Sequence, residues 1–240
     1  MLNNILSALK IFIPRLSVNR PRYSPLFTFV RYLTAYTALE KMLEIAMNFA
    51  AESKVEGDYL EFGVYEGSSF VPAYHFAKKN GLKAMKFYAF DSFEGLPDMT
   101  GNDAEGFCQW QKGDFACSPN GFEGFISGRG VKLKDVELIP GYYSKTLNEE
   151  TKKNLPLEKA AVILINADLY ESAKLSLDFI TDYVRDGTIL ILAGWFSFRA
   201  NPYKGEQRAF REWLKKNPSM KAVEYHKFGW GNSFIMHLEK

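Results

Sequence analysis

Apolar stretches of five to seven residues, two of them with an acid at their end, recur along the chain from residue 57 onward, and helically spaced apolar positions separate them. The first run, from Gly57 through Tyr59, Leu60 and Phe62, opens into a turn with Gly63 and Gly67, and Ser68 and Ser69 are candidate caps for the helix that follows. Phe70, Ala73, Tyr74 and Ala77 mark one face of that helix, and Asn80-Gly81 ends it. Strand-like runs follow at 85–91, 136–140, 161–166 and 188–192, with Ala173, Leu177, Ile180 and Val184 forming a helix face closed by Asp186-Gly187. A helix over 206–216 buries Phe210, Trp213 and Leu214 and stops before Pro218. Two last runs, 222–227 and 233–238, are joined through Phe228-Gly229-Trp230-Gly231-Asn232. Strands alternating with helices require right-handed crossovers and a parallel sheet. The pattern therefore predicts an α/β fold, a Rossmann-like, seven-stranded, mostly parallel sheet with a closing antiparallel hairpin.

Ahead of the first strand the spacing is helical. Leu2, Ile5, Leu6, Leu9 and Ile13 share one face, Pro14, Pro21 and Pro25 interrupt, and a longer pattern over 27–51 keeps Leu33, Tyr36, Leu39, Leu43 and Ala46 in phase. The first apolar run is too short to span a bilayer and no small-residue cleavage site follows it, so neither a membrane span nor a secretory signal is expected. A cap helix packed on the domain or on a partner chain, which points to a homodimer, is favoured over a membrane-surface anchor formed by residues 1–13. The expected division is an N-terminal helical cap over 1–54 and one α/β domain over 55–240. Within that domain, 97–132 is rich in Gly, Asn and Asp with little periodicity, as in a lid or binding loop, and Phe107, Trp110, Phe115, Phe122 and Phe125 are available to wall a pocket or to pack the loop.

Composition narrows the function. The 240 residues are 47% hydrophobic, enough for one such domain, and 30 basic against 28 acidic side chains leave a net charge of +2. No basic run interleaves with aromatics, so no nucleic-acid partner is expected. Cys108 and Cys117 form neither a disulfide framework nor a zinc site, and free thiols fit the cytoplasm. His75, His226 and His237 are scattered, with no nucleophile elbow, so a hydrolase triad is not expected.

The candidate chemistry lies at the strand ends. Glu61-x-Gly63-x-x-x-Gly67 lacks the dinucleotide fingerprint, and an acid where a pyrophosphate would sit suits a cationic or hydroxyl-bearing ligand such as S-adenosylmethionine. Asp91 ends the next strand, so Glu61 and Asp91 are expected to face one crevice, where a carboxylate accepts the two ribose hydroxyls of an adenosine and Phe93 lies against the adenine. The plainer alternative makes Asp91 a turn cap and Phe93 part of the core.

Four segments, Gly57-Asp58-Tyr59-Leu60-Glu61-Phe62-Gly63-Val64, Asp91-Ser92-Phe93-Glu94-Gly95-Leu96-Pro97, Asp168-Leu169-Tyr170-Glu171-Ser172 and Gly205-Glu206-Gln207-Arg208-Ala209-Phe210, carry a resemblance. Together they resemble class I S-adenosylmethionine-dependent methyltransferases, and among these the macrocin/mycinamicin sugar O-methyltransferase family, from about residue 55 to the C-terminus. The resemblance implies that Glu61, Gly63, Gly67 and Ser68 bind the methionine part of the cofactor. It places the ribose on Asp91, with Ser92 and Phe93 near the adenine. It further implies that Asp168 takes the proton of a sugar or natural-product hydroxyl, and Tyr170 is a candidate to assist it. Family members also use a magnesium ion held by the first acid of a D-x-D motif and a pair of acids at the end of the next strand. Here those positions are Asn166 and Ala193-Gly194, a poor donor set for a hard cation, so no metal is expected. The expected activity is a metal-independent O-methyltransferase acting on a small molecule. Two alternatives stay open: an S-adenosylmethionine-binding enzyme with different chemistry, and a non-catalytic binding member of the family.

Overall fold

The computed structural model describes residues 25–99, 101–104, 111–167 and 169–239, with side chains from residue 38 onward except at 102. The expectations for residues 1–13, Phe107, Cys108, Trp110 and Asp168 lie outside the described residues. The chain divides into two compact units, Met1–Tyr32 and Leu33–Lys240.

Helix α1 spans Pro25–Glu52. Its proline stands at the first helical position, where a missing N–H costs nothing. Strand β1 (Asp58–Phe62) leads through the glycine turn to α2 (Phe70–Lys79), and β2 (Phe87–Asp91) is followed by α3 (Pro119–Ser127) and β3 (Val136–Pro140). Two short helices, α4 (Tyr143–Thr146) and α5 (Glu149–Asn154), lead into β4 (Ala160–Ile165), α6 (Tyr170–Ile180) and β5 (Ile189–Leu192). The chain closes with α7 (Gly205–Lys216), β6 (Met220–Phe228) and β7 (Gly231–Leu238).

These strands form one seven-stranded sheet in the order β3-β2-β1-β4-β5-β7-β6. The first five are parallel, and β7 runs antiparallel to both β5 and β6. Every residue of β2, β4 and β5 is buried, which is why those runs, apart from Asp91 at the end of β2, are continuously apolar instead of alternating.

A core lies on each face of the sheet. On one, Leu60, Phe62, Tyr88 and Phe90 meet Tyr170, Leu177 and Phe179 of α6 and Phe210 and Trp213 of α7. On the other, Tyr59, Phe87 and Ala89 meet Met42, Leu43 and Met47 of α1, Phe70 and Ala73 of α2, and Phe122 and Ile126 of α3. The second half of α1 is thus part of the domain core. Within 97–132 the structure also differs from the expectation of irregular chain, because α3 is a crossover helix. Ser118 caps it by accepting from the Gly121 N–H at 3.1 Å, and Pro119 opens it.

Candidate functional site

In an open parallel sheet a ligand binds beyond the carboxyl ends of the strands, where the order reverses. Here that place is between β1 and β4, since the chain runs outward through β1, β2 and β3 and then returns to β4 beside β1. The turn after β1 is shaped by close approach. Gly63 (φ +89°) donates to the Phe90 carbonyl at 2.9 Å, and a Cβ on it would strike the Asn166 carbonyl. Gly67 (φ +93°) lies under α3, where a Cβ would stand 2.5 Å from Ile126. Both positions demand the left-handed region and leave no room for a side chain.

Glu61 differs from its expected place. Side chains alternate along a strand, so Glu61 shares its face with Tyr59, and it has no exposed surface. Its carboxylate accepts from the Tyr59 hydroxyl at 2.6 Å and from the Ser69 hydroxyl. Burial pushes its pKa up to about 7, against the lowering effect of those two hydroxyls, and the nearby Asp91 charge raises it further. Both carboxylate oxygens are thus engaged within the protein, where they tie β1 to the start of α2. Ser69, a candidate cap, makes no side-chain capping bond to α2 because its hydroxyl goes to Glu61. Ser68 lies half-buried in the same turn.

Asp91 ties the two turns together. One carboxylate oxygen accepts from the Tyr65 N–H at 3.0 Å and the other from the Phe93 N–H at 2.8 Å. Burial raises its pKa, and backbone hydrogen bonds from Phe93, Tyr65 and Val64 hold part of that rise back. Its longest contact, 3.5 Å from the Ser92 hydroxyl, is a weak one, for that hydroxyl sits better on the Gly95 carbonyl at 2.7 Å. Phe93 is buried with its ring centroid 5.8 Å from that of Phe122, the core placement foreseen as the alternative. Phe115, by contrast, is 44% exposed and packs edge-on against Tyr65.

Across the crevice, Asn166 is exposed at the end of β4, and the Ala193 N–H donates to Ile165 at 2.9 Å, which sets Ala193 beside it. The loop after β5 carries three successive residues in the left-handed region, Phe198, Arg199 and Ala200 (φ +54°, +59° and +57°). Its Phe196 N–H donates to Trp230 in the β6–β7 hairpin. Gln207 reaches back from α7 to the Trp195 carbonyl at 2.7 Å. Among the described residues, the β4 and β5 ends offer one amide side chain and, from Ala193 and Gly194, no side-chain oxygen, a poor set for magnesium. Among the described residues no group of three or more His, Cys, Asp or Glu side chains could hold a metal ion.

Tyr170 begins α6 and is buried, and its hydroxyl donates to Glu212 at 2.6 Å beneath the Arg208 guanidinium. Burial and the Glu212 carboxylate push its pKa up to about 12. The amides of Tyr170 and Glu171 both donate to the carboxylate of Asp103. Nothing local in the sequence marks Asp103, because its partners stand 67 and 68 residues further on. Among the described residues no helix is long and apolar enough to cross a membrane.

Known proteins match this arrangement. The family model of the macrocin O-methyltransferases (TylF) matches residues 32–226. A curated relative from Streptomyces olivaceus, 8-demethyl-8-(2,3-dimethoxy-alpha-L-rhamnosyl)-tetracenomycin-C 4'-O-methyltransferase, is 27% identical over 142 residues. That match takes in 58% of this chain and 52% of the relative, so the chain spans about half the length of the curated relative it matches. The O-methyltransferase NovP superposes with a TM-score of 0.66 at 18% identity, covering 82% of this chain and 78% of NovP. The calicheamicin methyltransferase CalS11 superposes with a TM-score of 0.65 at 20% identity, covering 98% of this chain and 85% of CalS11. At such identities the superpositions establish the fold.

Proposed function

Because the chain belongs to the macrocin O-methyltransferase family, we propose that it transfers a methyl group from S-adenosylmethionine to a hydroxyl of a sugar or a sugar-bearing natural product. The observation that carries this reading is the Asp91 carboxylate, held by backbone amides of two turns at the carboxyl ends of adjacent strands. There its oxygens would hold the ribose hydroxyls of the cofactor, and the long Ser92 contact is weak enough to give way to them. Gly63, Gly67 and Ser68 shape the methionine side of the pocket, with Ser92 at its adenine end and Phe93 behind it.

When bound, the cofactor would supply an electrophilic sulfonium methyl for in-line transfer to the acceptor oxygen, with the thioether as leaving group. Asp168 receives the hydroxyl proton as general base, and alignment of the two substrates supplies most of the rate. Tyr170 serves this step by anchoring the start of α6 to α7, since its hydroxyl is engaged by Glu212 and holds its proton at neutral pH. No step is routed through a metal. The name of the curated relative, a rhamnosyl-tetracenomycin 4'-O-methyltransferase, supports a rhamnose-like acceptor. A homodimer joined through the apolar N-terminal residues, working in the cytoplasm, belongs to the same proposal.

Calorimetry with S-adenosylmethionine tests the cofactor half. Asp91→Ala is expected to weaken binding at least tenfold, in keeping with the roughly 1.5–3 kcal/mol of a hydrogen bond to a charged group, and no wild-type binding at millimolar cofactor would sink the reading. For the acceptor half, p-nitrophenyl α-L-rhamnoside serves as probe, with S-adenosylhomocysteine and methylated rhamnoside measured by mass spectrometry. Asp168→Asn is expected to lower turnover about 10²-fold or more with cofactor affinity unchanged. An undiminished rate removes Asp168 from the mechanism.

A further inference from the structure

Among the described residues no local side chain caps helix α6: the residue before it, Leu169, has extended backbone (φ −77°, ψ 142°) and makes no side-chain capping bond, and the first-turn N–H groups call for an acceptor. Asp103 supplies one. It stands at the end of the short 3-10 turn Gly101–Asp103, only 5% exposed, and one carboxylate oxygen accepts from Tyr170 N–H at 2.8 Å while the other accepts from Glu171 N–H at 3.2 Å. A cap delivered from 67 residues away does something a local one does not: it joins the segment between β2 and β3 to the start of α6.

That start is where the proposed base is attached. Asp168 precedes Tyr170 by two residues, and successive Cα atoms are ~3.8 Å apart, so the held amide fixes the chain within about 8 Å of Asp168. Helix N-terminal amides held by a carboxylate are charge-assisted donors, stiffer than neutral ones. We infer that Asp103 is a positioning residue for methyl transfer, one that sets the segment carrying Asp168 against the cofactor side of the crevice by holding the Tyr170 and Glu171 amides. The inference rests on Asp168 being the base.

The test compares full-length wild type with Asp103→Ala and Asp103→Asn. Melting temperature, calorimetric affinity for S-adenosylmethionine, kcat and KM with p-nitrophenyl α-L-rhamnoside, and amide hydrogen exchange across 167–171 are measured. Asp103→Ala is expected to lower kcat tenfold or more at a temperature where it stays folded, with cofactor affinity within twofold of wild type. Asp103→Asn is expected to recover part of the loss, because its one amide oxygen still accepts an N–H. Exchange is expected to quicken at Leu169 as well as at Tyr170 and Glu171. A lowered melting temperature with kcat unchanged overturns the inference and leaves Asp103 a structural cap. If wild type binds the cofactor but methylates no rhamnoside, the acceptor reading fails by itself. Exchange then decides for Asp103: quickening confined to Tyr170 and Glu171 overturns the inference, and quickening that spreads to Leu169 supports it. Should Asp103→Ala not fold, Asp103→Asn carries the same measurements.

Discussion

Glu61 is surrounded by Tyr59 of its own strand, Ser69 at the start of α2 and Asp91 at the end of β2. Its pKa of about 7 in the folded protein stands above the 4.5 of the free side chain. The folded state therefore holds the proton more tightly than the unfolded chain. Stability from this residue is fully present below pH 4.5 and falls as the pH rises to 7, by roughly 3 kcal/mol at 1.36 kcal/mol per unit. The raised pKa of Asp91 acts in the same direction. Denaturant unfolding followed between pH 4.5 and 8 should show this decline, and Glu61→Gln, which keeps the shape and removes the titration, should flatten most of it. A decline of equal size in Glu61→Gln would falsify the assignment. The acid at the strand end was legible in the sequence, and so, in principle, was its direction. Leu60 and Phe62 point to one core, so Tyr59 and Glu61 must point to the other. What no pattern foretold is that Ser69 would turn from its helix to reach it.

At the scale of elements, legibility followed periodicity. The buried face Phe70, Ala73, Tyr74 and Ala77 of α2 and its end at Asn80 were read from spacing alone, since each apolar position there packs on the sheet. Helix α3 was missed because Gly121 and Gly124, poor helix formers, sit in its first two turns and only Phe122 and Ile126 are buried. Its capping is testable: Ser118→Ala should cost about 1 kcal/mol, measured by urea unfolding. Phe122→Ala should cost about 3–5 kcal/mol, because that ring fills the space between α2, α3 and Gly67. The left-handed run at 198–200 carries strain of about 1–2 kcal/mol per residue. Ala200→Gly is accordingly expected to stabilise the protein by about 1 kcal/mol, and a melting temperature that falls would show that this turn is not strained.

For the whole molecule, the strands were legible as runs and the closing hairpin from its glycine-rich joint, but the order of the strands was not legible in the sequence. No local feature tells the chain after β3 to cross back and settle beside β1. The acceptor side was legible as a departure, Asn166 with Ala193 and Gly194 where acids were expected. From that donor set, turnover of the rhamnoside is expected to be unchanged by EDTA and by added magnesium; an EDTA-abolished rate restored by magnesium overturns it.

The strand order also bears on inheritance. The chain returns to the centre of the sheet at β4, so the residues proposed to meet the cofactor are encoded before 155–159 and those proposed for the acceptor side after it. Recombination within 155–159 can therefore graft a new acceptor half onto an old cofactor half without breaking a strand. Asp103 is the exception to that partition. A chimaera joined there inherits an α6 capped by a foreign segment, and it should thrive only when the donor and recipient agree on a carboxylate at 103.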